Sequence, residues 1–409
     1  MSHVVVMVTT SYPRFPGDSV GTFMEPIARS VAARGHQVHV VAPWHPLVTR
    51  PSEEYGIRFH FYRYAPWRSL NVFGYAAAMH ADVSLRAAAY IAAPLALAAG
   101  WHRARQVARR HHATVMHGHW VIPGGITAAM AAPRLPLVVS LHGSDVYVAE
   151  RLAAARMAAR HAFARAGFVT ACSDDLARRA IALGASADRM ETVPYGVDTT
   201  RFRPDPDARS ARREELGVAG SLPLCVAAGR LVHKKGFEYL IDAVAAVPRL
   251  VLAIAGDGTL GPQLRAHAQA KGVADRVRFL GNQTQDNVGE YFAAADLICA
   301  PSMRDDRGNV DGLPNVVLEA MASGTPLITT AAGGIGSVIE TGRTGLLVPE
   351  RDAAAIGHAI RTLLASPGMA REIGEAARRE VERRFGWDRA AERFEAAYGR
   401  ALAFTSRPS

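Results

Sequence analysis

The sequence has few cysteines, very little lysine and no long apolar run. Its three cysteines, Cys172, Cys225 and Cys299, lie far apart, each in or beside an apolar stretch. This spacing favours buried reduced thiols and excludes a disulfide framework or a cysteine-rich metal site. The most apolar window, residues 87–101, contains Pro94 and is too short to span a bilayer. The sequence therefore predicts no transmembrane helix.

Lys234, Lys235 and Lys271 are the only lysines among 47 basic residues. Where arginine is used almost everywhere else, a site that keeps lysine indicates a need for a compact ammonium group. The net charge of +10 is distributed unevenly, since residues 58–112 contain eight arginines and a single acid, Asp82. This excess of positive charge indicates a binding partner.

The length of 409 residues favours two domains, and 21% charged residues are typical of a globular protein. The first residues lead directly into an apolar strand pattern, without the basic segment and cleavage site of a secretory signal. We therefore expect a cytoplasmic protein.

Both halves of the sequence alternate short Val-, Leu- and Ala-rich strands with helical patterns, which is typical of buried parallel sheets covered on both faces. The predicted fold class is α/β, with two doubly wound, Rossmann-like domains facing across a cleft. We expect an N-terminal domain over 1–197, a linker over 198–220, a second domain over 221–386 and a final helix over 387–409.

The stretch 301–326 contains two acids, Asp311 and Glu319, on either side of a helix start near Pro314. The unpaired amides of a first helical turn attract anions, while acids beside them suit ligand hydroxyls. Hydroxyls combined with phosphate indicate a sugar nucleotide.

The run 229–236 follows a predicted strand and contains Arg230 and Lys235 beside glycines. Arginine and lysine at such a turn can bind a phosphate. The alternative is a loop of solvated charges, and the scarcity of lysine favours phosphate.

Residues 256–261 match the GxGxxG pattern, with Gly256 and Gly258 as its first glycines. The next strand ends in Gly281 and Asn282 rather than in an acid, which argues against a nicotinamide dinucleotide site. Two interpretations remain, a close approach of backbone to a ligand and a tight turn alone.

Histidines 117, 119 and 142 follow predicted strands in the first half. No cysteine or glutamate converges on them, which argues against a metal. His142 either hydrogen-bonds a substrate or caps its own turn. The Asp205-Pro206-Asp207 sequence resembles a metal-binding DxD, but its polar surroundings indicate a linker.

Taken in order, these motifs resemble family 4 glycosyltransferases of the GT-B fold over nearly the whole chain. The matching pieces are Arg34-Gly35-His36, His142-Gly143-Ser144-Asp145, Pro194-Tyr195-Gly196-Val197-Asp198, Gly229-Arg230 with Lys235-Gly236, Gly256-Asp257-Gly258, Phe279-Leu280-Gly281 and Gly312-Leu313-Pro314-Asn315 with Glu319.

The resemblance implies a retaining hexosyl transfer from a nucleotide-diphosphate sugar, without a metal or other cofactor. It implies that Arg230 and Lys235 hold the diphosphate, that Glu319 accepts from the ribose hydroxyls and that His142 faces the sugar. The other implied donor-binding residues are Gly21, Gly256, Gly258, Gly281, Asn282, Leu313, Pro314 and Asn315. The helix after Trp387 would return to the first domain.

Two positions depart from the family pattern. Asp311 stands where the family usually has glutamate, which makes the choice of sugar uncertain and allows a catalytically impaired nucleotide-sugar binding protein as an alternative. Another GT-B activity, such as an epimerase, is the second alternative. Gly21 replaces a common glycine pair.

The basic stretch from Arg58 to His112 also contains aromatic residues, Trp67 and Phe73 among them. Arginine with aromatic residues suits an anionic membrane surface and a lipid-linked acceptor, and a solvated helical face is the alternative. No nucleic-acid-binding module is visible. We expect a cytoplasmic enzyme of exopolysaccharide, lipopolysaccharide or glycolipid assembly, at the inner face of the membrane if the basic stretch binds lipid.

Overall fold

The computed structural model describes residues 2–18, 20–65, 71, 74–75, 79–81, 84–85, 87–218, 220 and 222–406. The chain divides into two compact units, Met1–Pro194 with Trp387–Ser409 and Tyr195–Gly386. Each unit contains one large sheet of mainly parallel strands with helices between them, which confirms the predicted α/β class.

The first unit begins with alternating strands and helices. In chain order they are β1 (Val4–Val8), α1 (Met24–Ala33), β2 (Gln37–Pro43), β3 (Glu53–Glu54), β4 (Ile57–Tyr62), β5 (Met79–Ala81), β6 (Ser84–Leu85), α2 (Ala87–Arg110), β7 (Val115–His119), α3 (Ile126–Ala131), β8 (Leu137–Leu141), α4 (Ser144–Arg151), α5 (Ala153–Arg165), β9 (Phe168–Ala171), α6 (Asp174–Ala182) and β10 (Met190–Thr192).

The main sheet of the first unit has the strand order β10-β9-β8-β7-β1-β2-β4-β3, and only β3 runs antiparallel to its neighbour. Its central strands are buried over consecutive residues, because helices cover both faces of a parallel sheet. His117 and His119 lie inside β7 rather than after it, since Gly118 pairs with Val8 on one side and with Val139 on the other.

The second unit repeats this plan. Its elements are α7 (Pro206–Glu215), β11 (Leu224–Ala228), α8 (Phe237–Ala245), β12 (Val251–Ala255), α9 (Gly261–Ala270), β13 (Val277–Gly281), α10 (Gln285–Ala294), β14 (Leu297–Ala300), α11 (Asn315–Ala322), β15 (Leu327–Thr330), β16 (Leu346–Val348), α12 (Ala353–Ala365) and α13 (Pro367–Arg384). The strand order is β13-β12-β11-β14-β15-β16, with every pair parallel.

The polar stretch 198–220 is not a free linker, and it belongs to the second unit. Its helix α7 packs against α10, where the Arg212 guanidinium lies 2.7 Å from Glu290 and that of Arg209 lies 2.5 Å from Asp296. Ion pairs hold this charged segment to the second unit. Its polar composition, which predicts a solvated linker, reflects these ion pairs instead.

The last helix, α14 (Trp387–Thr405), belongs to the first unit. It buries Phe394 and Tyr398 and packs against α1, β8 and β9. A Cβ atom on Gly167 would lie 2.8 Å from Ala401 Cα, so the glycine allows the helix to approach the sheet closely.

None of the helices in the described part of the chain combines the length and apolarity that a membrane span requires. Trp67, Arg68, Phe73, Asp82 and Arg86 of the basic stretch lie outside the described residues.

Candidate functional site

Four loops at the carboxyl edge of the second sheet carry most of the predicted site residues. They follow β13, β12, β11 and β14, which are consecutive neighbours in the sheet. Because the carboxyl ends of parallel strands share one edge, residues far apart in sequence are collected there. The four loops contribute, respectively, Gly281 with Asn282; Gly256 with Gly258; Arg230 with Lys235; and Asp311 through Glu319.

Backbone hydrogen bonds join three of these loops directly. The Gly229 amide donates to the Ala255 carbonyl at 2.9 Å, and the Gly256 amide donates to the Gly281 carbonyl at 2.7 Å. A Cβ atom on Gly256 would lie 1.9 Å from the Gly229 carbonyl oxygen, and one on Gly258 would lie 2.5 Å from that of Leu231. The first two glycines of the GxGxxG pattern are therefore required for contact between loops, whether or not a ligand is also close.

The Asp311 carboxylate lies between two lysines. Its Oδ1 atom is 2.8 Å from Lys234 Nζ and its Oδ2 atom is 2.7 Å from Lys235 Nζ. Burial alone would raise the pKa of Asp311, but the two ammonium groups hold it well below its usual range. The three side chains together carry one net positive charge, which is suited to a negatively charged ligand.

Lys234 and Lys235 have side chains that are similarly buried, but they have different neighbours. Lys234 is buried, and its carbonyl accepts a hydrogen bond from the Met303 amide at 2.8 Å. The side chain of Lys235 passes Gly229, where a Cβ atom would lie 3.3 Å from Lys235 Cε. Arg230, the other predicted diphosphate ligand, is exposed at the end of β11.

Glu319 lies about one turn inside α11 and is only partly exposed. Gln285 Nε2 donates to its Oε1 atom at 3.2 Å. Burial raises the pKa of Glu319 to about 7, although Lys235 and Arg201 act in the opposite direction. This carboxyl group therefore changes its charge near neutral pH.

The start of α11 is shaped by its own loop. Pro314 is the N-cap residue rather than part of the first turn, and no side chain caps the helix there. Leu313 is buried and Asn315 is partly exposed as the first helical residue. A Cβ atom on Gly333 would lie 2.0 Å from the Asp311 carbonyl oxygen. Glycine at position 333 therefore allows its backbone to pack closely against the backbone just before the helix.

The first unit contains a separate cluster of histidines. His119 Nδ1 lies 3.1 Å from His142 Nε2, and the rings of His117 and His119 have centroids 4.0 Å apart. His117 also lies 2.9 Å from the Tyr398 hydroxyl and 2.7 Å from that of Ser140. Burial lowers the pKa of both His117 and His142 to about 3, so these rings are neutral at physiological pH.

Asp145 fixes the turn that carries His142. Its carboxylate accepts from the Gly143 amide at 3.0 Å and from the Val121 amide at 2.7 Å. Burial raises its pKa to about 6, and these amides offset part of that rise. Gly143 has φ +126°, a conformation that favours glycine.

Gly21 also lies in the first unit, with φ +66°. A Cβ atom on it would lie 3.0 Å from Ser11 Oγ, and its carbonyl accepts from the Met24 amide at 2.9 Å. The backbone at this turn explains the glycine without a ligand, and donor binding by Gly21 stays a prediction.

The Asp205-Pro206-Asp207 sequence caps α7. The Asp205 carboxylate accepts from the Ala208 amide at 3.0 Å, and Pro206 occupies the first helical turn. Aspartate followed by proline is a common helix start, which accounts for this pair of acids.

Sequence reasoning missed Lys234 and Gln285 as partners of the two acids. The adjacency of two scarce lysines was a signal that could have indicated Lys234. Gln285 had no comparable signal, because polar residues are common at helix starts.

Two family models match the chain. The model described as Glycosyltransferase Family 4 matches residues 20–201, and the one described as Glycosyl transferases group 1 matches residues 208–380.

Two curated relatives are named GDP-mannose-dependent alpha-(1-6)-phosphatidylinositol monomannoside mannosyltransferase. The one from Mycobacterium tuberculosis is 30% identical over 395 residues, which are 94% of this chain and 95% of the relative. The match to the one from Mycolicibacterium smegmatis is 38% identical over 248 residues, 59% of this chain and 64% of that relative.

Among solved structures, Anabaena HepE in complex with UDP has a TM-score of 0.76 and 22% identity, covering 96% of this chain and 98% of that one. This similarity supports the GT-B fold.

Proposed function

The chain belongs to glycosyltransferase family 4 and is a glycosyltransferase that uses a nucleotide sugar, and from this premise we propose a retaining transfer of a hexosyl group to an acceptor hydroxyl. The observation that carries the proposal is the grouping of Lys234, Lys235 and Asp311, with one net positive charge, at a sheet edge that also bears Glu319. Such a group suits a diphosphate attached to a sugar.

The donor is held by residues of the second unit. Lys235 and Arg230 bind the diphosphate. Lys235 acts as a compact positive charge, and the Arg230 guanidinium donates two parallel hydrogen bonds to phosphate oxygens. Glu319 accepts from the ribose hydroxyls, and Gly281 and Asn282 lie near the base. The remaining contacts are with the loop backbone at Gly256, Gly258, Leu313, Pro314 and Asn315.

Bond breaking between the anomeric carbon and the diphosphate oxygen leaves negative charge on the diphosphate. Lys235 and Arg230 stabilise this charge, and each preorganised charged donor contributes roughly 2 to 4 kcal/mol to the transition state. The acceptor oxygen forms the new bond on the same face of the sugar. Its proton passes to an oxygen of the leaving phosphate, so the step requires neither a protein base nor a metal.

His142 binds the transferred sugar through a neutral ring. Its contact with His119 and the low pKa of both rings keep it uncharged. A neutral imidazole can donate to or accept from a sugar hydroxyl, so His142 orients the sugar without competing for the diphosphate.

The acceptor is a hydroxyl of a lipid-linked or soluble glycan, in glycolipid, lipopolysaccharide or exopolysaccharide assembly. Relatives named for phosphatidylinositol monomannoside support a glycolipid. On α2, the exposed Leu97 and Trp101 lie on one side of the helix, with Arg105 beside Trp101, and this combination suits a cytoplasmic membrane face. Tyr64 and Tyr75 of the basic stretch are buried, so they do not form part of such a face.

Donor choice is tested by thermal shift and isothermal titration with UDP, GDP, ADP and their common sugars. We expect GDP-mannose to bind and to turn over slowly by hydrolysis, since two relatives are named as GDP-mannose-dependent. Binding that survives Lys235→Ala unchanged would contradict the proposed diphosphate site. Flotation with anionic vesicles tests the membrane separately, and an α2 variant with Leu97 and Trp101 replaced by serine should float less than the wild type.

A further inference from the structure

Three histidines converge on one face of the first sheet. His39 lies on β2 and His60 on β4, two parallel neighbours in which Val41 is the register partner of His60. His39 and Val41 point to the same face of β2, so His60 lies diagonally across from His39. His111 follows the last residue of α2, a helix that packs against both strands.

The ring nitrogens of these residues are close enough to share an ion. Each histidine offers one nitrogen, and the three nitrogens lie within 4.8 Å of one another. His39 Nδ1 and His60 Nε2 lie 2.9 Å apart, at hydrogen-bond distance. Nitrogens of a tetrahedral zinc site are roughly 3.3 Å apart, because each zinc-nitrogen bond is about 2.0–2.1 Å. The spacing of the three nitrogens is therefore close to that of a zinc ligand set.

We propose that His39, His60 and His111 bind a divalent transition-metal cation of the zinc class. Three imidazoles without a carboxylate favour zinc, copper, nickel or cobalt over magnesium or calcium. The fourth position is open to water or a small anion, because His60 and His111 are partly exposed. The ion joins the end of α2 to strands β2 and β4.

The histidines are neutral at physiological pH, which is the form that binds a metal. Burial and positive neighbours lower the pKa of His39 to about 4 and that of His60 to about 3, and they lower that of His111 as well. A metal therefore displaces no proton from them at pH 7.

The surrounding charges are mainly positive, and they act against a cation. Among the described residues, the charged groups that act most strongly on the three rings are Arg58, Arg103, Arg110, His112 and the acid Glu53. Arg58 is paired with Glu53 at 2.9 Å, which reduces its effect. The remaining positive charge favours a small anion, such as chloride or hydroxide, as the fourth ligand.

Equilibrium dialysis of the untagged full chain with zinc chloride tests the site. We expect about one zinc per chain in the wild type, and at least about tenfold weaker binding in His111→Ala. The matched control is His112→Asn, which removes the adjacent histidine and suits the positive φ of 51° there. Cobalt(II) should give the visible bands of a four-coordinate ion in the wild type and the control.

Two further measurements separate binding from folding. A circular dichroism melt without metal shows whether His111→Ala folds. His60→Gln is a second variant that lacks one of the three proposed ligands. Zinc should raise the melting temperature of the wild type by a few degrees, on the order expected from saturating one site, and should not raise that of either variant. Equal zinc binding by the wild type and both variants, or no zinc binding by the folded wild type, would overturn the proposal.

Discussion

The two units place opposite kinds of polar chemistry near the carboxyl edges of their sheets. The first unit has the neutral rings of His119, which ends β7, and His142, which follows β8. The second unit has Lys234, Lys235 and Asp311, whose carboxylate is held ionised by two ammonium groups. Both sets are largely buried, so exposure to water does not explain the difference.

The difference lies in whether burial is accompanied by opposite charge. The described partners of the histidines include each other, hydroxyl groups and aromatic rings, and burial lowers their pKa values so that they are neutral. Asp311 has two cations within 3 Å and keeps its charge despite burial. Neutral groups suit sugar hydroxyls, and retained charge suits a diphosphate, which is the division of roles that the proposed function assigns to the two units.

Replacing Lys235, the proposed diphosphate ligand, should have the largest effect. Lys235→Ala should lower turnover on the order of a hundredfold or more, because a preorganised cation at the leaving group is lost. Lys271→Ala is the matched control, since Lys271 pairs with Asp242 on the surface. Steady-state kinetics with the donor identified by titration give the result, and near-normal turnover would refute the role of Lys235.

The buried lysine should matter for stability as well. Lys234→Met removes one of the two partners of Asp311, and we expect a loss of about 2 kcal/mol in the free energy of unfolding. Asp311→Asn should cost a similar amount. In the double variant the two losses should not add, because both disrupt the same contact. Denaturant titration measures all three, and strictly additive losses would show that the two residues are not coupled.

The neutral cluster should affect the sugar more than the nucleotide. His142→Ala should reduce turnover about tenfold and leave the affinity for the nucleoside diphosphate unchanged. The pH profile of the wild type should show no step from His142 near neutral pH, since its pKa is about 3. A large loss of nucleotide affinity in His142→Ala would contradict the division of roles between the units.

Glu319 should make donor binding and stability depend on pH near neutrality. With a pKa of about 7 in the folded state against 4.5 as its ordinary value, the folded protein binds this proton more tightly. Its contribution to stability is therefore largest at low pH and is lost as pH rises from about 4.5 to about 7. Donor binding should strengthen several-fold over the upper part of that window, as the carboxylate becomes an acceptor for ribose.

The comparison with Glu319→Gln isolates this effect. Asp145 has its own raised pKa of about 6 and contributes in a neighbouring window, so only the difference between wild type and variant is informative. Titration calorimetry should show a flatter pH dependence of donor affinity in the variant. An unchanged pH dependence would mean that another group controls donor binding.

The smallest effect is expected at the capping aspartate of α7. Asp205→Asn keeps a side-chain oxygen for the helix start and removes a charge, so turnover should be unchanged. Chelation with EDTA should also leave transfer unaffected, because the proposed reaction step uses no metal. Loss of transfer in EDTA, restored by magnesium, would show that a cation assists the leaving diphosphate after all.

The sequence predicted the two-part α/β plan and most of the parallel strands, because consecutive buried residues such as those of β11 and β12 give an unambiguous apolar run. It did not predict β4, which is buried at only some of its positions. It predicted the wrong role for residues 198–220. A charged segment held by ion pairs, such as Arg212 with Glu290, has the same composition as a solvated linker. Arg212 and Glu290 are 78 residues apart in sequence, and they meet only because the folded chain packs their helices together. Composition carries no information about such a contact.

The site was predicted in its parts more than in its contacts. Arg230, Lys235 and Glu319 were proposed from local patterns, because each lies at a strand end or a helix start, and their roles in binding stay predictions. The contact of Lys234 with Asp311 joins loops after different strands and depends on the strand order. The cluster of His39, His60 and His111 has the same cause, since β2 and β4 are neighbours only in the folded sheet.

Helix α14 completes the first unit although nearly two hundred residues of the second unit precede it in the chain. A ribosome therefore releases the whole second unit before Phe394 and Tyr398 become available to cover β8, β9 and His117. Until then the first unit exposes apolar surface that its own early residues cannot cover. The second unit, continuous in sequence, can fold first, and the N-terminal half of the polypeptide finishes last.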